Sequence, residues 1–371
     1  MPYYPRLKRS NANKQIKNRT VENILNLKKQ LGRDIPEKDL DKHLLLATWN
    51  IRDLGKSGPK QGRRTQEDLF YLAEIISKFD LVAVQEVNDL DDWEDIMGIL
   101  GDDWNYIATD ISEHSEGGNG ERMTFVFDTR KVSFKNIAGE IVLSRANLVT
   151  KNVVDGADDV PEHGRQFART PFLVSFQAGW FHFDLCTVHI YFGSESGAKL
   201  KRRIAEIEQI AEEIKERSDI AFKNRKHAMI LLGDFNIVHP EHETMKALKR
   251  HKFKIPKRLD KASNLNLDKY YDQIAIRSKG EDILKFINKE ISGKGNAGIF
   301  EMFKSVMRPG DWKDYKKEMK KTTEGKSLTT DTEFRKYFKK WKTYHISDHK
   351  PMWVRIPVDF SESYIKKIIS T

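Results

Sequence analysis

Cysteine, long apolar runs and clustered metal-binding thiols or imidazoles are scarce in this sequence. Cys186 is the single cysteine among 371 residues, which excludes an intrachain disulfide and makes a reducing compartment, the cytoplasm, the expected location. No stretch approaches the ~20 apolar residues of a membrane-spanning helix, and the basic N-terminus lacks the apolar segment of a secretory signal. The lack of a Cys/His cluster argues against structural zinc.

Positive charge is the main feature of the composition. Lys and Arg number 65 against 55 Asp and Glu, which gives a formal net charge of +10 at pH 7. Such a balance favours a polyanionic partner: nucleic acid, an anionic membrane surface or a phosphorylated small molecule. A Lys-rich solvated surface would produce the same charge. Hydrophobic residues at 39% and charged residues at 32% are typical of a globular protein with more charge than average.

Five apolar runs each have polar or ionisable residues at one end. The polar residues are Asn50 after residues 44–49, Glu86 after 81–85, His189 after 183–188, Asp234 and Asn236 after 230–233, and Asp348 with His349 just before 351–356. Asp234 and Asn236 are two residues apart and lie on one side if the strand continues. A single such strand end is an ordinary turn, where Asp and Asn are common. Five together predict a shared polar pocket.

Six short motifs contain these residues and occur in a fixed order. They are TWNI at 48–51, VQEV at 84–87, VHI at 188–190, GDFN at 233–236, YDQI at 271–274 and SDH at 347–349. Over residues 44–356 the chain resembles the endonuclease/exonuclease/phosphatase superfamily, which includes the deoxyribonuclease-I-like enzymes. The runs FARTPF at 167–172 and GERM at 120–123 are similar to a bacterial branch of that superfamily.

Strands and helices alternate early in the chain, and the middle is rich in strands and hairpins. This order predicts an α/β (α+β) fold with two packed sheets covered by helices on both outer sides. The resemblance implies the same four-layer α/β-sandwich, with two mixed β-sheets and the site where strand ends converge. We expect a basic N-terminal helical extension at 1–43, the family domain at 44–357 with a Lys- and aromatic-rich insertion at 293–343, and a tail at 358–371.

Local patterns predict individual elements. Thr20 is expected to cap a helix that ends at Gly32, and Thr65 with Asp68 forms a capping-box pattern. Apolar residues at helical spacing predict a helix over 199–217, and a hairpin turn is expected at 178–179.

The region 293–343 interleaves lysines with aromatic residues. Such a pattern binds nucleic acid when rings stack on bases and lysines hold phosphates. Phe334, Phe338, Trp341 and Tyr344 fall at helical spacing, however, so a buried face is the favoured interpretation. The lysines remain candidates for a substrate-facing surface; they are Lys313, Lys316, Lys317, Lys320, Lys321, Lys336, Lys339 and Lys340.

Oxygen ligands dominate the predicted pocket, and they suit Mg²⁺ or Mn²⁺. Glu86 is the leading metal ligand. Asn50 offers a neutral oxygen beside it, and Asp348 is a candidate second carboxylate ligand. The alternative for Glu86 is a strand-end carboxylate in water.

The resemblance implies catalytic roles for five residues. Asp234 would orient or deprotonate the nucleophilic water, and Asn236 would donate a hydrogen bond to a phosphate oxygen. His349 would contact the scissile phosphate, with Asp272 fixing its tautomer and raising its pKa. Either Asp234 or His349 would be the base. His189 would lie near the phosphate or the leaving group.

Two arginines are candidates for phosphate binding. Arg169 matches a deoxyribonuclease-like Arg-x-Pro pattern, and its planar fork suits phosphate; an arginine that merely precedes an edge strand is an equal alternative. Arg122 is the weaker candidate.

The favoured function is a divalent-metal-dependent phosphodiester hydrolase acting on nucleic acid, with DNA favoured over RNA and endonucleolytic cleavage expected. The alternative is a phosphatase or phosphodiesterase of inositol, lipid or other small phosphates. A third reading is a non-catalytic nucleic-acid-binding module, whose mark would be missing catalytic residues. None of the principal ones is missing.

Overall fold

Two β-sheets lie at the centre of the computed structural model, which describes residues 2–112, 118–149, 165–224, 226–289 and 293–369. The strands are β1 (His43–Leu54), β2 (Leu81–Val87), β3 (Trp104–Ala108), β4 (Arg122–Asp128), β5 (Ser133–Glu140), β6 (Phe172–Ala178), β7 (Phe181–His189), β8 (Ala228–Asp234), β9 (Asp272–Ser278), β10 (Ala297–Ile299) and β11 (Met352–Pro357). One sheet has the order β10-β11-β1-β2-β4-β3 and the other β5-β6-β7-β8-β9.

Helices cover the outer face of each sheet. They are α1 (Pro5–Arg9), α2 (Lys14–Asp34), α3 (Gln66–Ser77), α4 (Leu90–Leu100), α5 (Gly197–Lys223), α6 (Glu243–Arg250), α7 (Asp282–Asn288), α8 (Lys316–Met319), α9 (Thr323–Ser327), α10 (Asp331–His345) and α11 (Ser361–Ile369). Within the described ranges, no helix combines the length and apolarity that a membrane crossing requires.

Three apolar layers hold the sandwich together. The central layer joins the two sheets through residues such as Leu46, Phe125 and Phe183. A second layer packs α2, α3, α4 and α10 on the first sheet, and a third packs α5 and α6 on the second sheet. Both faces of each sheet are therefore buried, which explains why the central strands are nearly continuous apolar runs. The predicted four-layer α/β-sandwich is confirmed.

Strand direction brings the polar strand ends to one edge. β1 runs parallel to β2, and β7 runs parallel to β8, so the carboxyl ends of each pair lie side by side. His189 is in register with Asp234 across β7 and β8. Asp234 is in register with Asp272, because β9 is antiparallel and begins where β8 ends. The sheets thus place three chemically active side chains on neighbouring strands.

The N-terminal helix begins earlier than the sequence indicated. Asn13 is its N-cap and accepts a hydrogen bond from the Ile16 N–H at 2.9 Å. The prediction that Thr20 is the cap is wrong: its hydroxyl donates to the Ile16 carbonyl inside the helix at 2.8 Å. Asn caps a helix as well as Thr does, so the helix begins after Asn13, the earlier of the two candidate caps. Gly32 lies within the helix, which continues to Asp34.

Other local predictions are confirmed with wider bounds. Thr65 and Asp68 form the capping box of α3. The helix predicted at 199–217 is α5, which is longer at both ends. Gly179, at φ 53°, makes the turn between β6 and β7. Leu7 and Leu27 belong to the same apolar cluster as α3, whereas the division of the chain near residues 43 and 357 stays a prediction.

The aromatic residues of α10 are mostly core. Phe334, Phe338 and Trp341 are at most 1% exposed and lie in the cluster that includes α2 and α3. The prediction that Tyr344 belongs to this buried face is wrong. Its side chain is only partly buried, and the Arg52 guanidinium lies 3.9 Å from its ring centroid. The buried face continues instead through His345, one helical turn after Trp341, with ring centroids 3.7 Å apart.

Replacement of Phe338 by Ala is expected to destabilise the whole fold. Loss of this buried ring should lower the free energy of unfolding by about 3–5 kcal/mol, because the cavity cannot fully collapse. Chemical denaturation followed by circular dichroism measures it. Lys336→Ala, at an exposed position of the same helix, should change stability by less than ~0.5 kcal/mol. Equal values for the two variants would contradict a core role for α10.

Candidate active site

Asp234 occupies the centre of the site. Its Oδ1 accepts a hydrogen bond from the Asn236 N–H at 2.9 Å, and its Oδ2 accepts one from Asn50 Nδ2 at 3.0 Å. Gly233 makes this strand end possible: a Cβ there would lie 2.1 Å from the Val188 carbonyl oxygen, and its φ of 132° suits glycine alone. The carboxylate is 2% exposed and is therefore fixed in a nearly dry pocket.

A histidine and carboxylate pair lies on one side of Asp234. His349 Nδ1 is 2.9 Å from Asp272 Oδ2, and its Nε2 is 3.7 Å from Asp234 Oδ2. Tyr271 stacks on the imidazole with ring centroids 5.5 Å apart. Ser263 accepts a hydrogen bond from the Asp272 N–H at 3.0 Å. The ring is held on several sides, with Nε2 directed at the centre of the site.

A second pair faces it across Asp234. His189 Nδ1 is 2.7 Å from Glu121 Oε1, while its Nε2 is 3.6 Å from Asp234 Oδ2 and 3.9 Å from Glu86 Oε1. Arg169 forms a buried ion pair with the same Glu121 carboxylate. Both imidazoles thus use Nδ1 to contact a carboxylate and present Nε2 to one oxygen of Asp234.

Mutual charges set the protonation states of the two imidazoles and of Asp234. Burial lowers the pKa of His349, but Asp272 and Asp234 outweigh it and hold that pKa well above its usual range. Burial and Arg169 lower the pKa of His189, and the carboxylate of Glu121 raises it overall. Burial acts to raise the pKa of Asp234, yet the two histidines hold it below its ordinary value. The two imidazoles and Asp234 therefore each favour the charged form of the other.

The pKa values of the other three carboxylates of the site shift in different directions. Burial would raise the pKa of Glu121, but His189 and Arg169 lower it to about 2. Burial raises the pKa of Asp272 and of Glu86, because their partners compensate only in part. A cation placed at Glu86 would supply the compensation that the protein leaves incomplete.

Glu86 and Asn50 form the oxygen-rich corner of the site. Glu86 Oε1 accepts a hydrogen bond from Asn50 Nδ2 at 2.8 Å, and its Oε2 accepts one from the Asp53 N–H at 2.8 Å. Asn50 Oδ1 is buried and has no hydrogen-bond partner among the described residues. An orphaned buried oxygen beside a carboxylate fits a hard divalent cation such as Mg²⁺. Ligand atoms of Glu86, Glu121 and His189 also lie within 4.8 Å of one another.

A buried arginine fixes the loop that supports Glu86. The Arg64 guanidinium donates hydrogen bonds to the carbonyl oxygens of Arg52, Asp53 at 3.0 Å and His345 at 3.2 Å. Asp53 and Glu86 both adopt left-handed backbone, with φ values of 47° and 64°. Strained conformations of this kind persist only where the surroundings enforce them. Arg64 therefore connects α10 to the loop behind the oxygen-rich corner.

Three residues predicted for the site have other partners. Asp348 pairs with Arg52 at 2.8 Å. Arg169 is committed to Glu121, and Arg122 donates to the Asn88 carbonyl at 3.1 Å. The structure therefore joins Arg169 to the site through Glu121 and places Asp348 and Arg122 in other contacts.

Comparison with protein-family models decides the family. The model described as Endonuclease/Exonuclease/phosphatase family matches residues 47–272, more than half of the chain. The chain belongs to the endonuclease/exonuclease/phosphatase family. Its fold, the expected order of its motifs and the site at the converging strand ends agree with this assignment, and the chain is therefore a metal-dependent phosphoesterase. Comparison with curated proteins gave no significant match.

Several solved structures resemble the chain at low sequence identity. An endonuclease/exonuclease/phosphatase family protein from Bacteroides thetaiotaomicron is 17% identical, with 86% of this chain and 96% of that one covered and a TM-score of 0.48. The human Nocturnin catalytic domain is 14% identical, with 86% and 95% covered and a TM-score of 0.46. A mannosyl-6-phosphatase of Bacteroides thetaiotaomicron is 19% identical, with 63% and 85% covered and a TM-score of 0.43.

Sequence reasoning missed Glu121, Arg64 and Tyr271 as site residues of this family member. Glu121 lies in the GERM run, directly before β4, so its position at a strand end was an available signal. Tyr271 directly precedes Asp272 within a recognised motif. Arg64 had no signal, because its partners are backbone carbonyl oxygens, one of them 281 residues away.

Replacement of Glu86 by Gln is expected to weaken divalent-cation binding. Loss of the charge should lower Mn²⁺ affinity by at least ~10-fold, since even outer partners of a metal site contribute that much. Titration calorimetry measures the affinity, and thermal unfolding reports on the fold. Glu216→Gln, exposed on α5, should bind Mn²⁺ like the unchanged protein. Unaltered affinity in Glu86→Gln would remove Glu86 from the metal site.

Replacement of Asp272 by Asn is expected to lower the pKa of His349. The imidazolium loses its nearest anion, so it should release its proton about 1–3 pH units earlier as pH rises. NMR titration of the histidine ring measures this pKa. Asp39→Asn is the matched control, because Asp39 pairs with His43 at the far end of β1. A shift of His349 in the control, or none in Asp272→Asn, would contradict the pairing.

Proposed function

We propose that this family member is a divalent-metal-dependent phosphodiesterase that cleaves nucleic acid, DNA in preference to RNA, at internal positions. One observation carries the chemistry: two imidazoles, each backed by a carboxylate, direct Nε2 to within 3.6 and 3.7 Å of Asp234 Oδ2. Hydrolysis of a phosphodiester needs a base for water, positive charge for the phosphoryl oxygens and a proton for the leaving oxygen. These three groups can supply all of them.

The proposed roles use the directions of these pKa shifts. The lowered pKa of Asp234 favours its carboxylate, which would accept the proton of the attacking water. The raised pKa of His349 favours its protonated form, which would bind a phosphoryl oxygen. His189 also has a raised pKa and is the donor of a proton to the leaving oxygen, with Glu121 stabilising its charge. Asn236 uses Nδ2 to bond the Ile190 carbonyl at 2.7 Å and has a second N–H for phosphate.

Mg²⁺ or Mn²⁺ would be held by Glu86 and the free Oδ1 of Asn50. When bound there, the cation neutralises charge on the phosphoryl oxygens. Asp348, which pairs with Arg52, remains a candidate second carboxylate. Arg169 and Arg122 remain candidates for phosphate, with Arg169 acting through Glu121.

A basic surface beside the site supports the choice of nucleic acid. Exposed lysines lie along α8 to α10, among them Lys317, Lys336 and Lys339. The loop at 55–63 lies against the same helices, because Tyr337 donates to the Lys60 carbonyl at 3.3 Å. Arg52, two residues after Asn50, donates to the Tyr344 hydroxyl of α10 at 2.9 Å, so the helix that carries Lys336 and Lys339 reaches the Asn50 end of β1. A long polyanion would follow this lysine surface, whereas one small head group would not reach it.

Salt dependence separates nucleic acid from small phosphates. Each lysine that neutralises a phosphate releases counterions, so affinity for a labelled oligonucleotide should fall steeply with salt. Lys336→Glu with Lys339→Glu should lower affinity and flatten the slope by about one for each phosphate that is no longer neutralised. Lys223→Glu with Lys249→Glu, exposed on α5 and α6, is the matched control and should leave both the affinity and the slope unchanged.

Cleavage products test the activity itself. Purified protein with Mg²⁺ or Mn²⁺ should nick plasmid, and Asp234→Asn should slow this by at least ~100-fold. The inactive variant excludes a contaminating nuclease. A flat salt slope together with efficient hydrolysis of an inositol or lipid phosphate would overturn the proposal in favour of a small-phosphate hydrolase.

A further inference from the structure

An exposed aromatic ring stands beside the catalytic histidine. Phe192 follows β7 and is 41% exposed. Its ring meets Tyr271 at 87° with centroids 6.2 Å apart, and Tyr271 in turn stacks on His349. Phe192 is therefore two ring contacts from the imidazole that faces Asp234.

The Phe192 loop is fixed by a buried cation. Arg203 is fully buried, and its guanidinium donates to the carbonyl oxygens of Phe192 at 3.0 Å, Asn236 at 2.9 Å and Ser194 at 2.6 Å. It also lies 4.6 Å from the Phe192 ring centroid. Gly193, at φ 61°, permits the tight turn that follows, where a Cβ would lie 2.3 Å from the Tyr191 ring. One guanidinium thus ties the exposed ring to the Asp234–Asn236 turn.

The Phe192 ring is partly covered and partly open to solvent. The Arg203 guanidinium lies over the ring, and Tyr271 contacts it at right angles. The part of the residue that stays exposed is the surface available to a ligand. Single exposed aromatic residues are common and need no explanation. Trp180, for example, is 47% exposed at the β6–β7 turn, where it packs against Tyr364. Phe192 differs because a buried charge in the catalytic turn holds it in place.

We propose that Phe192 is a stacking platform for an unpaired nucleobase next to the scissile phosphate. This inference rests on the proposed cleavage of nucleic acid and adds the state of the substrate. A ring that is held in place and partly exposed suits a flat apolar group, and every base has an apolar face. A base within a duplex is already stacked on both sides. The platform therefore selects single-stranded or locally unpaired nucleic acid.

The test compares two ligands of equal charge. One is a labelled 12-nucleotide strand of deoxyadenosines, and the other is the same backbone with abasic positions throughout. Both are bound to protein carrying Asp234→Asn, so that neither is cleaved. With Phe192 present, the strand with bases should bind roughly 10- to 100-fold more tightly than the abasic strand. Phe192→Ala should abolish this preference while leaving abasic binding unchanged.

Two variants keep the result interpretable. Phe192→Tyr retains a ring and should retain the preference for bases, which a purely structural role of the side chain would not require. Trp180→Ala removes an equally exposed ring far from the site and should change neither affinity. If protein with Phe192→Ala and protein with Phe192 showed the same preference for the strand with bases, Phe192 would not be a stacking platform. Cleavage of plasmid or of a single-stranded oligonucleotide by protein with Asp234 and Phe192 intact would then still support the proposed function, whereas cleavage of neither would overturn the function itself.

Discussion

The burial of one carboxylate between two imidazoles is the constraint on which this site depends. Asp234 could not remain an anion in a nearly dry pocket unless positive charge compensated it. His189 and His349 hold the pKa of Asp234 below its ordinary value, and each has its own carboxylate, Glu121 or Asp272, which raises the pKa of the imidazole. Acidic and basic side chains thus alternate across the site, and each shifts the pKa of its neighbours.

The sheets bring this set together, and two buried arginines hold its edges. Parallel pairing of β1 with β2 and of β7 with β8 places the charged residues at adjacent strand ends. Arg64 fixes the loop behind Glu86, and Arg203 fixes the turn behind Asp234. Both guanidiniums bond backbone carbonyl oxygens, which are less dependent on side-chain identity than carboxylate partners are. The site is therefore positioned by strands at its centre and by cations at its periphery.

Apolar runs located the strand ends in the sequence, and the family resemblance supplied the four-layer fold and the roles expected of the residues at those ends. Asn50, Glu86, His189 and Asp234 each terminate an apolar run, and buried strands that share an edge must place such residues together. Glu121 directly precedes β4, and the GERM run that contains it was used only as a mark of the family branch, so its strand-end position was overlooked. The partner of Arg169 could not be predicted, since the pairing spans 48 residues and two sheets. Thr20 was misjudged because Asn13 competes for the same role.

The glycine before Asp234 has a consequence for how other sequences of this fold are read. A side chain at Gly233 would collide with the backbone of β7 whether or not the protein is catalytic. A descendant that had lost its activity would therefore keep this glycine, since folding alone requires it. Glu121 and Asp272 are under no such backbone requirement. In a diverged relative, the glycine would mark ancestry, and the persistence of both imidazole–carboxylate pairs would mark a working enzyme.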